Sequence, residues 1–410
     1  MHPTRRSARR TLVAAALVLA VCLWASGAPS VLYPAYAARW DLTPLTVTSV
    51  FATYPLALLV MLVLAGGLAD VVGRRRAMLA GLTLIGLGAV SFAVAQGVGL
   101  LFVGRALQGV GVGLAMSAAS AAVVESFPDG ARRSAGTVTT ASTSGGLVLA
   151  MVVGGTLAQL APLPLVLTYV VLAVATVVTL ALVLLTPHSR GTTRDLRPRL
   201  PRFARGTGRH VVIAALAVVV AYSVGAVFMA LGAQMARQLT GTTSLLVIGL
   251  LLGLSSAVIG VTALVLARVD PSVSVAVGAA VSLAGLALMV VTGRAGSLGV
   301  FVAWCVVSGI GYSLTFAGGV GIVGREAPAT HRAGTFSLVY LAGYFFQTVV
   351  SVGLGALATA HGLPAAIDVG AAGVGALGVG LLAAAVVDLR RTRYRRLRAW
   401  QHRRAPEHTA

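Results

Sequence analysis

Uncharged apolar runs of about 20 residues recur from Thr11 to Val387, separated by short polar turns. A run of that length, rising 1.5 Å per residue, spans the roughly 30 Å hydrocarbon core of a bilayer. In lipid every backbone N–H and C=O needs a partner within its own segment, so each run is expected to be a helix. The pattern predicts spans near 11–36, 45–67, 77–97, 100–124, 134–159 and 164–186. Six more follow near 210–236, 243–267, 272–292, 298–323, 333–359 and 364–388. Only one long polar stretch interrupts the series: Thr186 to Arg209, with Pro187, Pro198, Pro201 and seven arginines. The expected fold class is an all-α integral membrane protein with twelve transmembrane helices. Its parts are a six-helix bundle over 1–186, a linker over 187–209, a second bundle over 210–388 and a basic tail over 389–410.

The two bundles repeat each other at an offset of 198 residues. Ala135-Gly136-Thr137 opens the fifth span and Ala333-Gly334-Thr335 the eleventh. Gly111 and Gly113 recur as Gly309 and Gly311, and Arg39 recurs as Arg237. Parallel repeats of this kind place a binding site between pseudo-symmetric halves. Basic residues before the first apolar run also resemble a secretory leader. The repeat favours a structural role, pairing the first span with the seventh.

Composition agrees: 58% of residues are hydrophobic and only 10% charged. The net charge of +21 suggests nucleic acid until its distribution is read. Every one of the 31 basic residues is arginine. With twelve spans, 27 of them fall on one side, three on the other, and Arg105 lies within a span. That asymmetry predicts both termini in the cytoplasm, with no nucleic-acid partner. Cys22 and Cys305 sit singly in apolar runs, and the seven histidines lie in tails, loops or span ends. No metal cluster, phosphate loop or paired intramembrane carboxylates appear, so neither an enzyme nor a resident cofactor is expected.

Two motifs carry a resemblance. The turn after the second span reads Gly66-Gly67-Leu68-Ala69-Asp70-Val71-Val72-Gly73-Arg74-Arg75-Arg76. It is similar to the first cytoplasmic loop of the major facilitator superfamily, G-x-L-A-D-R-x-G-R-R, with Val71 where Arg is frequent. Gly104-Arg105-Ala106-Leu107-Gln108-Gly109 resembles that superfamily's R-x-x-Q-G in the fourth span. Gly145 to Gly155 is partly similar to the antiporter signature, but Ala150-Met151 replace its Gly-Pro. Small residues at that spacing serve helix packing equally well. The resemblance implies the major facilitator fold and secondary transport by alternating access. Gly66, Asp70, Gly73, Arg74 and Arg75 would form a conformational latch.

Arg105 lies about 7–8 Å inside its span. A charge there defaults to function, with Gln108 three residues on and on the same face; snorkelling to the interface is the alternative. Tyr33, Arg105, Gln108, Tyr222, Gln234 and Tyr312 are expected to line a substrate cavity. Among the ten acids, Asp368 and Glu125 read as deepest. Glu125 is the candidate protonation site, unless it caps its helix near Arg132 and Arg133. The expected function is proton-coupled efflux of drug-like hydrophobic compounds across the inner (cytoplasmic) membrane, by a monomer in the lipid bilayer with a small-molecule substrate. Uptake or exchange of a metabolite such as an organic anion is the alternative; a membrane enzyme is the remote one. If Asp70 is part of a latch, Asp70→Asn should abolish most transport while insertion persists. Flux in proteoliposomes checks this, and near-normal rates would remove the latch.

Overall fold

The computed structural model describes residues 5–65, 68–127, 132–187, 207–328 and 331–404. The first half comprises α1 (Arg5–Gly27), α2 (Tyr33–Trp40), α3 (Pro44–Ala65), α4 (Leu68–Val72), α5 (Arg74–Ala93), α6 (Val98–Glu125), α7 (Arg132–Leu160) and α8 (Pro164–Leu184). The second comprises α9 (Gly208–Thr240), α10 (Leu245–Val265), α11 (Pro271–Ala295), α12 (Leu298–Glu326) and α13 (Arg332–Arg404). The described residues contain no strand. Most of the 187–209 linker, Gly66 and the last six residues lie outside the described residues.

Among the described residues, eleven helices are long and apolar enough to cross a membrane. The last has an apolar stretch of 58 residues, more than two crossings need at about 20 each. Gly362 divides it, with φ of 82° and a non-helical ψ. Glycine reaches that conformation without steric cost, and Pro364 follows with no N–H to continue the ladder. A Cβ on Gly370 would sit 2.7 Å from Leu354, so the segments flanking Gly362 lie against each other. Thus α13 doubles back and supplies the eleventh and twelfth crossings.

The first pass departs from the expected unbroken span over 11–36. It stops at Gly27, turns through residues 28–32, and resumes as α2. Pro29 has no amide to offer, and the Ser30 amide bonds the Gly27 carbonyl at 2.9 Å instead of reaching one turn back. The matching pass in the second half, α9, runs 33 residues without a break.

We call the end where the linker attaches the linker end, and its opposite the far end. The apolar core of the first half continues into far-end residues of the second, including Phe228, Ile248, Trp304 and Leu354. At the linker end, the second half keeps a core of its own around Ala217, Val275, Ile322 and Leu381. The halves therefore share one apolar core at the far end, and the α7–α10 contact continues to Gly260, where a Cβ would lie 2.6 Å from Ser144. Two seams make the junction. α7 meets α10, where a Cβ on Gly155 would lie 2.6 Å from the Leu245 carbonyl oxygen and one on Gly249 would lie 2.5 Å from that of Met151. α3 meets α13, where Gly355 packs on Thr48 and the Leu45 amide donates to Thr359 Oγ1 at 2.9 Å.

The glycines of the partial antiporter signature have packing roles here. Gly146 abuts the Ala20 backbone on α1, and Gly155 meets Gly249 across the halves. Gly155→Val should pry the far end apart. Spin labels at Thr46 and Thr240 should then report longer distances than in the parent; an unchanged distribution would show that the seam does not hold the halves.

Candidate functional site

The site begins with a charge that has no water. Arg105, on α6, is fully buried at 0% exposure. Its Nη1 donates to the Ser26 carbonyl at 3.1 Å and to Gln108 Oε1 at 3.2 Å, and Nη2 to the Phe51 carbonyl at 3.5 Å. The guanidinium carbon lies 4.5 Å from the centre of the Tyr54 ring and 5.7 Å from that of Phe51, within cation–π range. Every acceptor is neutral. Snorkelling does not occur, since no part of the side chain reaches a surface.

Both main-chain acceptors exist because of proline. In an unbroken helix the amide of residue i+4 occupies each carbonyl. Pro55 sits four residues after Phe51 and has no amide, so the Phe51 oxygen is left over. Pro29 lies three residues after Ser26, and the Ser30 amide bonds Gly27, so the Ser26 oxygen is left over too. Glycine then brings the pieces within reach: a Cβ on Gly109 would lie 2.5 Å from the Tyr54 carbonyl oxygen. That close approach of α3 to α6 places the Tyr54 ring on Arg105.

Tyr33, on α2, is buried and lies within the electrostatic reach of Arg105. Thus Tyr33, Arg105 and Gln108 come together as the sequence suggests. Tyr222 and Tyr312 also come together, but as a second cluster within the second half. Their ring centres are 6.5 Å apart, and Phe316 and Tyr344 join at 5.7 and 4.9 Å from Tyr222. Tyr340 extends the row, 6.2 Å from Phe316. Apart from the buried Tyr222, these rings are half-buried, as a wall would be. Tyr344 lies within electrostatic range of Tyr54, whose ring is the one stacked on Arg105. Gln234 does not sit with the tyrosines: it is twelve residues beyond Tyr222 on α9, about 18 Å toward the far end. Tyr54, Phe316 and the two carbonyls are additions that the sequence motifs did not single out.

At the linker end, Gly73 caps α5 with φ of 91°, which favours glycine. Arg74 then meets Glu125 at 3.2 Å, and Arg75 Nε donates to the Val183 carbonyl at 3.2 Å, capping α8. Gly66 lies outside the described residues; Asp70 belongs to α4, but its side chain also lies outside them. The Glu125 side chain is 59% exposed and that of Asp368 55% exposed, so neither is buried. The buried carboxylate is Asp388, whose side chain is 5% exposed, paired with Arg209 and lying 3.7 Å from His210. The second half has its own pair, Arg325 to Asp270 at 2.7 Å. Partial burial pushes the Asp270 carboxyl up, but the Ser272 amide and the Arg325 guanidinium prevail and hold it below the usual carboxylate range.

Pro55→Ala supplies the amide that Phe51 lacks and should cost most of the transport while α3 stays helical; full flux would show that the freed carbonyl is dispensable. Arg105→Met removes a buried cation that no acid neutralises. Stability should be unchanged or raised by about 1–4 kcal/mol, with transport lost. A large fall in melting temperature would make Arg105 structural instead.

Comparison with known proteins follows the same lines. The chain is 37% identical over 111 residues to EfpA, an uncharacterized MFS-type transporter of Mycobacterium tuberculosis, in strains H37Rv and CDC 1551. That stretch is 27% of this chain and 21% of the relative, so the chain matches about a fifth of the relative's length. Among solved structures, the peptide transporter POT in complex with sulfate superposes with a TM-score of 0.74 over 93% of each chain, at 18% identity. A POT family transporter in complex with a thioalcohol-conjugated peptide gives 0.73 over 94% of this chain and 96% of that one, at 14% identity. At such identities the likeness is one of fold. Residues 13–274 match the Major Facilitator Superfamily, and with a fold of twelve crossings in two halves, the chain belongs to that family as a membrane transporter.

Proposed function

We propose that the protein is a proton-coupled antiporter that exports hydrophobic, ring-bearing small molecules by alternating access. The observation that carries this reading is the row of half-buried rings, Tyr312, Phe316, Tyr340 and Tyr344, clustered with Tyr222 in the second half. Aromatic faces hold flat apolar molecules through area and ring geometry, without demanding one hydrogen-bond pattern. A core shared by the halves at the far end and separate at the linker end fits one of the two states such a cycle needs. The arginine asymmetry supports a cytoplasmic linker end and cytoplasmic termini, and this state would then receive substrate from inside the cell. The protein would work as a monomer in the cytoplasmic membrane.

Arg74, Arg75, Gly73, Gly66 and Asp70 form the latch in this proposal. Glu125, held by Arg74 at the end that opens, is the carboxylate offered for coupling, because it can exchange that cation for a proton. A second reading, uptake or exchange of an organic anion, is favoured by Arg105, whose buried charge meets only neutral acceptors.

Proteoliposomes with an imposed pH gradient test both readings. Lipophilic aromatic compounds should move against the gradient of protons. Accumulation of substrate in the same direction as protons would replace export by uptake, and absence of any pH-driven flux would remove the coupling. Glu125→Gln should flatten the pH dependence of flux; an unchanged profile would exclude Glu125 as the coupling acid.

A further inference from the structure

The polar atoms left unmatched at Arg105 can all donate. Arg105 Nε, Gln108 Nε2 and the hydroxyl of nearby Tyr33 are buried and without a hydrogen-bond partner. The first two only donate, and the hydroxyl can donate. Gln108 has already spent its carbonyl oxygen on Arg105. Buried polar atoms are seldom left unpaired in folded proteins, and three unmatched donors at an uncompensated cation ask for an acceptor with negative charge.

The guanidinium is prepared for one. It carries five N–H groups in a fixed fork, of which three hydrogen bonds use at most three. The two carbonyls hold its plane in position without neutralising it. Among side chains, arginine is the one whose fork matches a carboxylate bidentately. The Tyr54 ring centre lies 4.5 Å from the guanidinium carbon, Tyr344 lies within electrostatic range of Tyr54, and the Tyr344 and Tyr222 ring centres are 4.9 Å apart. Tyr54 is thus a neighbour of both the charge and the aromatic wall.

We propose that the Arg105 cluster is an anion subsite of the transport site, taking the carboxylate of an aromatic organic acid whose ring lies on the wall around Tyr222 and Tyr344. Tyr54 must swing aside for the carboxylate to enter, so the subsite fills as the halves move. The inference rests on the transporter reading of the same site, and it narrows the substrate to an amphiphilic acid.

Equilibrium binding to the purified full chain in lipid nanodiscs tests it, with no gradient imposed. The probes are 2-naphthoate and its neutral isostere 2-naphthamide. The carboxylate should bind roughly tenfold tighter or more. Arg105→Gln should erase that difference while keeping affinity for the amide, and Tyr344→Leu should weaken both alike. Arg105→Lys, which keeps the charge and loses the fork, should retain part of the preference. Arg294→Gln, at an exposed arginine 3.9 Å from Asp368, should retain all of it. Equal affinity for acid and amide would mean that water satisfies the donors and would overturn the proposal. So would absence of measurable naphthoate binding, or a preference that survives Arg105→Gln. Failure of pH-driven flux, by contrast, would strike the coupling and leave this measurement standing.

Discussion

A cation sealed inside a membrane protein has to be held by something, and here the holder is main chain. The Arg105 side chain sits in the bundle formed by α1, α3 and α6, where an unsatisfied charge is costly. Two oxygens that helix geometry would ordinarily consume are set free by Pro29 and Pro55 and turned on the guanidinium. Much of the first half follows from this. The first pass must break where it does, α3 must come close enough for Tyr54 to lie on the charge, and α6 must carry glycine at position 109 to admit it.

The second half shows the same plan with the charge removed. At the constant offset of 198, Ala303 stands for Arg105, Val306 for Gln108, Val227 for Pro29 and Gly253 for Pro55. Cation and acceptor-releasing prolines are missing together, as expected if the prolines serve the cation. The exchange runs the other way for rings: Tyr312 and Phe316 correspond to Leu114 and Ala118. One half supplies charge and the other aromatic area. The linker-end pairs are exchanged as well. In the first half a base on α5 meets an acid at the end of α6, whereas in the second an acid before α11 meets a base at the end of α12.

Much of this was legible in the sequence, for reasons that can be named. Span number and the pairing of halves follow from apolar run length and the repeat, because lipid permits few other arrangements. Arg105, Gln108 and Tyr33 were grouped because charge inside a span stands out and because i and i+3 share a helix face. The role of Pro29 and Pro55 was not legible, since a kink and a released carbonyl have the same signature until the third helix is placed. Burial was not legible for the acids: the side chains of Asp368 and Glu125 are largely exposed, and Asp388 is buried beside Arg209 and His210, partners that lie some 180 residues earlier. Gln234 was grouped with the tyrosines by span membership, which says nothing about height.

The break between α1 and α2 also bears on mechanics. One half opens its first pass with a jointed strut and the other with a rigid rod, α9. Under load, deformation concentrates in the joint at residues 28–32, which carries the Ser26 oxygen at its near edge. Any tilt of the outer strut therefore tugs on the grip around the guanidinium, while the rod transmits its movement whole. The two halves, alike in pattern, thus differ in how a movement of the first pass would reach a buried side chain.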